Sequence, residues 1–209
     1  MGIPERKQKE KERRRQQILV AAKRVFSEKG FTKATIEEIA KSAELSSGTL
    51  YLYFRNKEEL WVSLSLRVLQ YLLMRLEHID DGLEPPEKLR ALKEVLYDVY
   101  EFDPSVAINM FHLQSSDILK NLSPEMLSEI TGLTRQALDK ISGIFQEGIR
   151  EGSFVDRHPV ALTDIVWGMF SGVVLWENSK NLLNRERDYL RPTLELAFEL
   201  LERGVRKGS

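Results

Sequence analysis

The chain contains no cysteine and only three histidines among its 209 residues. The absence of cysteine excludes disulfide bridges, thiolate metal sites and cysteine nucleophiles, and it suits a reducing compartment. His78, His112 and His158 lie far apart in sequence and form no H-x-x-x-H pair. We therefore expect no metal site and no bound cofactor.

Sequence signatures of common enzymes are also absent. Residues 168–172 read G-M-F-S-G, which differs from the G-x-S-x-G turn of serine hydrolases. The chain has no glycine-rich phosphate loop and no H-E-x-x-H motif. His112 and Asp117 lie close in sequence, but no nucleophile stands at a defined spacing from them. The sequence predicts a protein that is not an enzyme and has no catalytic residues.

Long apolar runs are missing as well. The longest uncharged apolar run, residues 165–176, has twelve residues, whereas a membrane-spanning helix needs roughly 18 or more. The first residues lack the apolar core of a signal peptide. We expect a cytoplasmic protein that has no membrane partner.

Charge is distributed unevenly along the chain. The formal net charge is −1, but residues 1–60 carry +5 and the remainder carries −6. Residues 1–17 hold seven basic and three acidic residues and end near Arg13, Arg14 and Arg15. A basic end suits contact with a polyanion. This arm either lies along a nucleic-acid backbone, enters a minor groove, or is a solvated helix start or a disordered tail.

Residues 35–57 predict two short helices separated by a tight turn. Thr35 and Glu38 match the capping box that begins a helix, and Ser46 offers an N-cap for the second helix. Leu50 and Phe54, four residues apart, give that second helix a buried side. The first helix has one apolar stripe: Ile36, Ile39, Ala40 and Ala43. This arrangement predicts a helix-turn-helix.

The outward face of the second helix indicates what it contacts. When Leu50 and Phe54 point inward, the helical rotation turns an uncharged set of residues outward. Hydroxyl groups on this face can reach phosphates or base edges, and an outward leucine can contact a thymine methyl group. The alternative that its tyrosines only pack against neighbouring helices stays open. The outward set is Gly48, Thr49 and Leu52, with Tyr51 and Tyr53 on the flanks.

The first sixty residues resemble the DNA-binding domain of TetR-family transcriptional regulators. The shared segments are K-G-F at 29–31, A-T-I-E-E-I-A at 34–40 and S-S-G-T-L-Y-L-Y-F-R-N-K-E-E-L at 46–60. The resemblance implies that Thr35 and Lys57 bind phosphates at the starts of their helices, while the residues between them read the groove. The implied DNA-binding residues are Thr35, Ser46, Ser47, Gly48, Thr49, Tyr51, Leu52, Tyr53 and Lys57.

Two positions depart from the family pattern. Glu44 occupies a turn position that usually carries glycine, and a non-glycine residue with positive φ is uncommon. Either the turn relaxes or Glu44 tolerates the strain. Ser47 replaces a frequent lysine, which removes one phosphate contact. The operator sequence is therefore not predictable.

The rest of the chain predicts helix after helix, because it shows no hairpin signal and no sustained alternation of period two. We predict helices at about 57–80, 86–103, 124–151, 158–179 and 187–206. The predicted fold is all-α: a three-helix DNA-binding domain at residues 1–56 with a basic N-terminal arm, and a larger helical domain at residues 57–209.

The last two predicted helices are typical of a dimer interface. The helix at 158–179 is apolar nearly all round, so both of its sides must be covered, and Gly168 and Gly172 permit close helix approach. The alternative is that both helices are central in a monomer core. The TetR resemblance implies a four-helix bundle made from two chains. The predicted interface residues are Leu162, Ile165, Met169, Gly172, Val173, Leu194, Phe198 and Leu201.

Residues 97–116 mix aromatic, sulfur-containing and polar side chains, as ligand pockets do. Such side chains on helices also occur as plain core. The resemblance implies an effector pocket in this region, and the lack of an arginine cluster favours an apolar or amphipathic effector. The predicted effector-binding residues are Trp61, Tyr97, Met110, Phe111, Gln114, Trp167 and Phe170.

The resemblance implies a ligand-responsive regulator, a repressor that binds double-stranded operator DNA as a homodimer. A small-molecule effector would tilt the helix at 57–80 and release the DNA. The alternative is a ligand-independent architectural protein whose helical body only dimerises. An enclosed cavity among the helices of residues 57–180 would favour the sensor, and a solid core would favour the architectural protein.

Overall fold

A computed structural model of the chain describes residues 3–113, 117–183 and 188–208. A short 3₁₀ helix, Asp117–Asn121, precedes the seventh α-helix, and within these ranges the only extended pairing is an isolated antiparallel bridge between Phe154 and Arg206. The all-α prediction is confirmed. The α-helices are α1 (Ile3–Lys33), α2 (Ile36–Ser42), α3 (Ser47–Tyr51), α4 (Lys57–Glu77), α5 (Pro85–Phe102), α6 (Pro104–Leu113), α7 (Pro124–Glu151), α8 (Pro159–Leu183) and α9 (Leu190–Val205).

Most predicted helix bounds agree with the structure to within a few residues. α5 begins at Pro85, because proline lacks an N–H and its fixed φ suits the first helical turn. α4 ends at Glu77, before the predicted Asp80. The separate helix α6 was not predicted; the Asp103 carboxylate accepts the Val106 N–H at 3.3 Å and so begins it.

The chain divides into two compact units. The first unit contains residues 1–67 and 116–128, and the second contains residues 68–115 and 129–209. The first unit therefore includes the start of α4, up to Arg67, whereas the DNA-binding domain expected from sequence comprises residues 1–56. A short stretch from the middle of the chain, including the 3₁₀ helix, belongs to the first unit.

In the first unit, α1 packs on α2 and α2 packs on α3. Gly30 has φ +73° and interrupts α1, which allows Phe31 to turn back. The Phe31 ring then lies 5.9 Å from Phe26 and 5.0 Å from Trp61, measured between ring centroids. This aromatic cluster joins the end of α1 to the start of α4.

In the second unit, α5 packs on α6 and α9, while α8 packs on α6 and α9. α7 contributes a buried face that includes Ala137, Ile141 and Phe145. A partly buried ion pair connects α5 to α7, where the Lys88 ammonium lies 2.8 Å from both carboxylate oxygens of Glu147. Helices α5, α6, α8 and α9 thus form one packed group.

Helix α8 combines a buried face with an exposed apolar face. The segment Pro159–Asn181 is long and apolar enough to cross a membrane by length and composition alone. However, Val166, Phe170 and Val174 on it are fully buried in the chain's own core, and a core helix of a protein without a membrane passes the same test.

Candidate nucleic-acid interface and dimer face

The start of α2 is capped as predicted. The Thr35 hydroxyl accepts the Glu38 N–H at 3.2 Å, and the Glu38 carboxylate accepts the Thr35 N–H at 3.2 Å. The Lys29 ammonium and the Thr35 N–H both donate to Glu38 and hold the pKa of its carboxyl below the usual range. Thr35 itself is exposed, and its hydroxyl acts as an acceptor in the capping box.

The turn between α2 and α3 adopts the strained form. Glu44 has φ +57°, the left-handed conformation that usually belongs to glycine. The backbone continues to close the turn, since the Leu45 N–H donates to the Ala40 carbonyl at 2.9 Å. The turn geometry of a helix-turn-helix is therefore present despite the missing glycine.

The short helix α3 presents the predicted face. Its N-cap is Ser46, whose hydroxyl accepts the Thr49 N–H at 3.1 Å. Leu50 and Phe54 are buried, as predicted, while Leu52 is 78% exposed. The remaining residues of the predicted DNA-binding face are exposed or half-buried: Ser47, Gly48, Thr49, Tyr51 and Tyr53.

Lys57 has a packing role within the first unit. Its ammonium donates to the carbonyl oxygens of Phe31 at 2.8 Å and Ala34 at 3.0 Å. It also lies 4.5 Å from the centre of the Phe31 ring. Lysine here ties the end of α1 to the start of α4, which the family resemblance alone did not indicate.

The basic N-terminal arm is helical, because α1 begins at Ile3. The Arg15 guanidinium lies 5.0 Å from the centre of the Phe54 ring and donates to the Ser63 hydroxyl at 3.1 Å. Arg13 donates twice to Glu10. The expectation of a disordered tail does not hold for the described residues of this arm.

A segment from the middle of the chain contacts the residues that follow α3. The Asn56 side chain donates to the Asn121 carbonyl at 3.0 Å, and its own amide oxygen accepts the Glu59 N–H at 2.8 Å. The pKa of the Glu125 carboxyl is lowered by hydrogen bonds from its own backbone N–H and from the Ser123 hydroxyl. The nearby Arg55 charge lowers it further. Asn56 thus caps α4 and holds the 3₁₀ helix at the same time. Sequence reasoning missed this contact, since the two asparagines are 65 positions apart.

The predicted effector-binding residues are only partly brought together. Trp61 is buried in the aromatic cluster of the first unit, with its ring centroid 4.7 Å from that of Phe26. This packing gives Trp61 a structural role within the first unit. Phe170 is buried, and its ring centroid lies 6.2 Å from that of the half-buried Trp167, on the helix that packs against α6.

Three of the predicted effector-binding residues fall outside what the structure describes. They are Gln114, which lies outside the described residues, and Met110 and Phe111, whose side chains are not among those described. Tyr97 on α5 is half-buried, with the Arg191 guanidinium 4.7 Å from the centre of its ring.

An open groove of about 380 Å³ also lies in the second unit. Its lining includes Leu76, Lys88, Lys140, Ile144 and Arg150.

The predicted dimer-interface residues differ in their burial within one chain. Leu162, Leu194 and Phe198 are buried in their own chain, because they form the contact of α8 and α9 with the rest of the second unit. A helix that is apolar on two sides does not reveal from sequence which side faces its own core. Met169, Val173 and Leu201 are half-buried, whereas Ile165 and Gly172 are exposed.

Most of the exposed large apolar residues of α8 and α9 form one stripe on each helix, and Val160 on α8 lies off its stripe. On α8, Ile165, Gly172 and Trp176 follow one another at i, i+7 and i+11, and Trp176 is 67% exposed. On α9, Leu196 and Leu200 are exposed four residues apart. Trp176 was not among the predicted interface residues, although its spacing from Ile165 and Gly172 in the sequence places it on this stripe.

Comparisons with known proteins agree with this architecture. Residues 18–64 match the profile described as bacterial regulatory proteins of the tetR family, and residues 82–180 match a tetracyclin repressor-like C-terminal domain. The fatty acid metabolism regulator protein of Bacillus subtilis is 27% identical over 94% of this chain and 98% of its own. The transcriptional repressor KstR2 of Mycolicibacterium smegmatis is 29% identical over 68% of this chain and 67% of its own.

A solved structure shares the fold along nearly the whole chain. The transcriptional regulator FadR from Bacillus subtilis, in complex with stearoyl-CoA, superposes with a TM-score of 0.71 and 25% identity. The superposition covers 91% of this chain and 99% of that one. The helix-turn-helix, the helical body and both family matches lead to one conclusion: the chain belongs to the TetR family of bacterial transcriptional regulators.

Proposed function

We propose that this chain is a cytoplasmic, ligand-responsive repressor that binds operator DNA as a homodimer. The exposed, uncharged face of α3 and the residues just after it carries the proposal. Exposed Leu52 and Tyr51 make poor contacts with water but good contacts with the floor of a major groove. The similarity to repressors of the same family supports repression rather than activation.

Different residues of the DNA-binding surface would contact phosphates and bases. The exposed hydroxyl of Thr35, at the N-terminus of α2, suits a phosphate, because helix N-termini attract anions. Gly48 lacks a side chain and permits close backbone approach. We assign base contacts to Leu52 and Tyr53, and we assign to Lys57 mainly the placement of α4 beside this surface.

The stripes on α8 and α9 support a two-fold dimer. Exposed large apolar residues on adjacent helices mark a protein interface, and these stripes include Ile165, Trp176 and Leu200. A Cβ atom added at Gly168 or Gly172 would meet no described atom of its own chain within 4 Å. Their small size is therefore not needed by the chain's own packing, and it suits the close approach of a partner helix.

The proposed effector is a long-chain acyl thioester. The fatty acid regulator of Bacillus subtilis matches almost the full length of this chain, and the related FadR structure contains stearoyl-CoA. An acyl chain is apolar and its carrier is polar, which agrees with the amphipathic effector expected from residues 97–116. We propose that the acyl chain lies beside Phe170 and Trp167, where α6 packs on α8.

Release of DNA would use the Asn56 contact. Displacement of α6 by an effector would move the 3₁₀ helix that follows it, together with the Asn121 carbonyl that Asn56 binds. Because Asn56 also caps α4, its movement would change the placement of the α4 start and the DNA-binding surface beside it. About 1–3 kcal/mol of coupling corresponds to roughly 5–150-fold weaker DNA binding.

The proposal is tested by selecting bound sequences from a random duplex library and then titrating the selected operator with stearoyl-CoA. We expect a two-fold symmetric sequence with half-sites about one helical turn apart. Fluorescence anisotropy should show roughly 5–150-fold weaker binding when stearoyl-CoA is added. Free coenzyme A and stearate, added separately, serve as matched controls.

Two results would contradict parts of this proposal. If the protein binds a symmetric operator with an affinity that stearoyl-CoA does not change, the acyl thioester is not the effector, while the DNA-binding function stands. Failure to select any sequence above the random background would contradict operator binding itself and favour the architectural alternative.

A further inference from the structure

Helix α1 extends well beyond the core of the first unit. It begins at Ile3, whereas Ile18 is the first buried residue along it. At 1.5 Å per residue, residues 3–14 form a helical extension about 18 Å long. A helix that buries no apolar side is marginal in water, so this extension requires another explanation than packing on its own chain.

The extension leaves the domain beside the helix-turn-helix. The Gln17 side chain donates to the Ala43 carbonyl at 3.0 Å, and Ala43 ends α2 just before the turn to α3. Arg14 in turn donates to Gln17 at 3.1 Å. The C-terminal end of the extension, at Arg14, therefore lies close to the turn that leads into the proposed DNA-binding surface.

Basic residues form two stripes along the extension, and one of them is in line with the buried face of α1. Lys7, Lys11 and Arg14 follow at i, i+4 and i+7, and the buried residues Ile18 and Val25 continue the same face at i+11 and i+18. The same face of α1 is therefore apolar from Ile18 onward and basic in residues 3–14. Glu5 and Glu12 lie on the opposite side of the helix, whereas the Glu10 carboxylate lies beside this face, 3.8 Å from the Arg14 guanidinium.

We propose that this basic face binds phosphates of the DNA that flanks each half-site. The inference rests on the proposed function, since it extends the same DNA surface. A stripe of three cations fits a polyanion and offers nothing to an apolar partner. An extension of about 18 Å would reach roughly five base pairs along the duplex, outside the segment read by α3.

The test compares two triple variants of equal charge. Lys7→Gln, Lys11→Gln and Arg14→Gln together remove the basic face, whereas Arg6→Gln, Lys9→Gln and Arg13→Gln remove three cations from other angles of the same helix. Operator affinity is measured from low to high salt on a duplex with ten flanking base pairs at each side and on one trimmed to the half-sites. Circular dichroism checks that both variants keep the wild-type helix content.

On the long duplex, we expect the first variant to bind on the order of ten-fold more weakly at low salt, because each lost phosphate contact lowers the slope of log affinity against log salt by about 0.9. The control variant and the trimmed duplex should show little of this loss. Equal slopes in both variants and the wild type, or equal losses in both variants, would overturn the inference while the proposed function stands. A wild-type chain that binds no operator would overturn both.

Discussion

Two surfaces of this molecule expose large apolar side chains, and they differ in their polar neighbours. On the first unit, Tyr51 and Leu52 lie among the hydroxyl groups of Ser47, Thr49 and Tyr53. On α8, the stripe of Ile165, Gly172 and Trp176 contains no hydroxyl or charged side chain. Hydroxyls beside apolar atoms suit base edges and phosphates, whereas a continuous apolar stripe suits another protein. Exposure alone does not identify a partner, but the neighbouring groups do.

The largest expected effect comes from a charge on the α8 stripe. Ile165→Glu would bury an unpaired carboxylate twice in a two-fold dimer, at about 3–5 kcal/mol each, so dimer affinity should fall by at least 100-fold. Val160→Glu is the matched control, because both residues are 52% exposed on the same helix but only Ile165 lies on the stripe. Light scattering at micromolar concentration measures the mass.

A mass of one chain for Ile165→Glu and of two chains for Val160→Glu would support the stripe as the interface. Two chains in both variants would show that the apolar surface of α8 has another purpose.

The second largest effect is expected on the DNA-binding surface. Leu52→Ala removes an apolar contact with a base and should weaken operator binding by about 1–3 kcal/mol at each half-site. Val20→Ala is the control, since Val20 is a similarly exposed apolar residue (66%) on the outer side of α1. Anisotropy measures the affinity, and the preference at one base position of the selected operator should relax only in Leu52→Ala. Unchanged affinity in a folded dimer would remove Leu52 from the reading face.

Features set by neighbouring residues were predictable from sequence, while features set by distant ones were not. The Thr35–Glu38 cap and the buried pair Leu50 and Phe54 depend on spacings of three and four residues, and the structure confirms them. The Asn56–Asn121 contact depends on the path of the chain between them. Periodicity showed that α8 has two apolar sides, but only packing shows that Leu162 faces its own core.

Lys57 separates a structural role from a DNA-binding role. Its ammonium donates to two nearby carbonyl oxygens, and hydrogen bonds to charged groups contribute about 1.5–3 kcal/mol when buried. Because Lys57 is half-buried, we expect Lys57→Met to lower the free energy of unfolding by about 1–2 kcal/mol. Lys33→Met, which changes an exposed lysine at the end of α1, is the control. Loss of operator affinity with unchanged unfolding in urea would instead assign Lys57 to a phosphate.

A smaller effect concerns the junction that keeps α8 and α9 together. Burial alone raises the pKa of the Glu177 carboxyl, but hydrogen bonds from the Lys180 ammonium and the Tyr189 N–H outweigh it, so this pKa lies below its usual range. A lowered pKa in the folded state stabilises the protein at neutral pH, and this contribution is lost as the pH falls below about 4.5. Glu177→Gln should lower stability by about 1 kcal/mol at pH 7.

The pH dependence distinguishes this role from simple packing. Thermal unfolding of Glu177→Gln should change less between pH 5 and the acid limit (about pH 3) than that of the wild type, because one linked proton is missing. Glu195→Gln, at an exposed position of α9, should leave the wild-type profile unchanged. Parallel profiles for Glu177→Gln and the wild type would remove the carboxylate from the pH response.

The smallest effect tests the contact through which effector binding would change the DNA-binding surface. Asn56→Ser replaces the capping amide oxygen of α4 with a hydroxyl that can also cap the helix but is too short to reach the Asn121 carbonyl. Operator affinity without effector should therefore change little. The weakening caused by stearoyl-CoA should shrink by about 2–5-fold, since one exposed hydrogen bond contributes about 0.5–1 kcal/mol. Asn121→Ala keeps the backbone acceptor and should respond like the wild type. If Asn56→Ser also responds like the wild type, the signal reaches the DNA-binding surface through α4 without this contact.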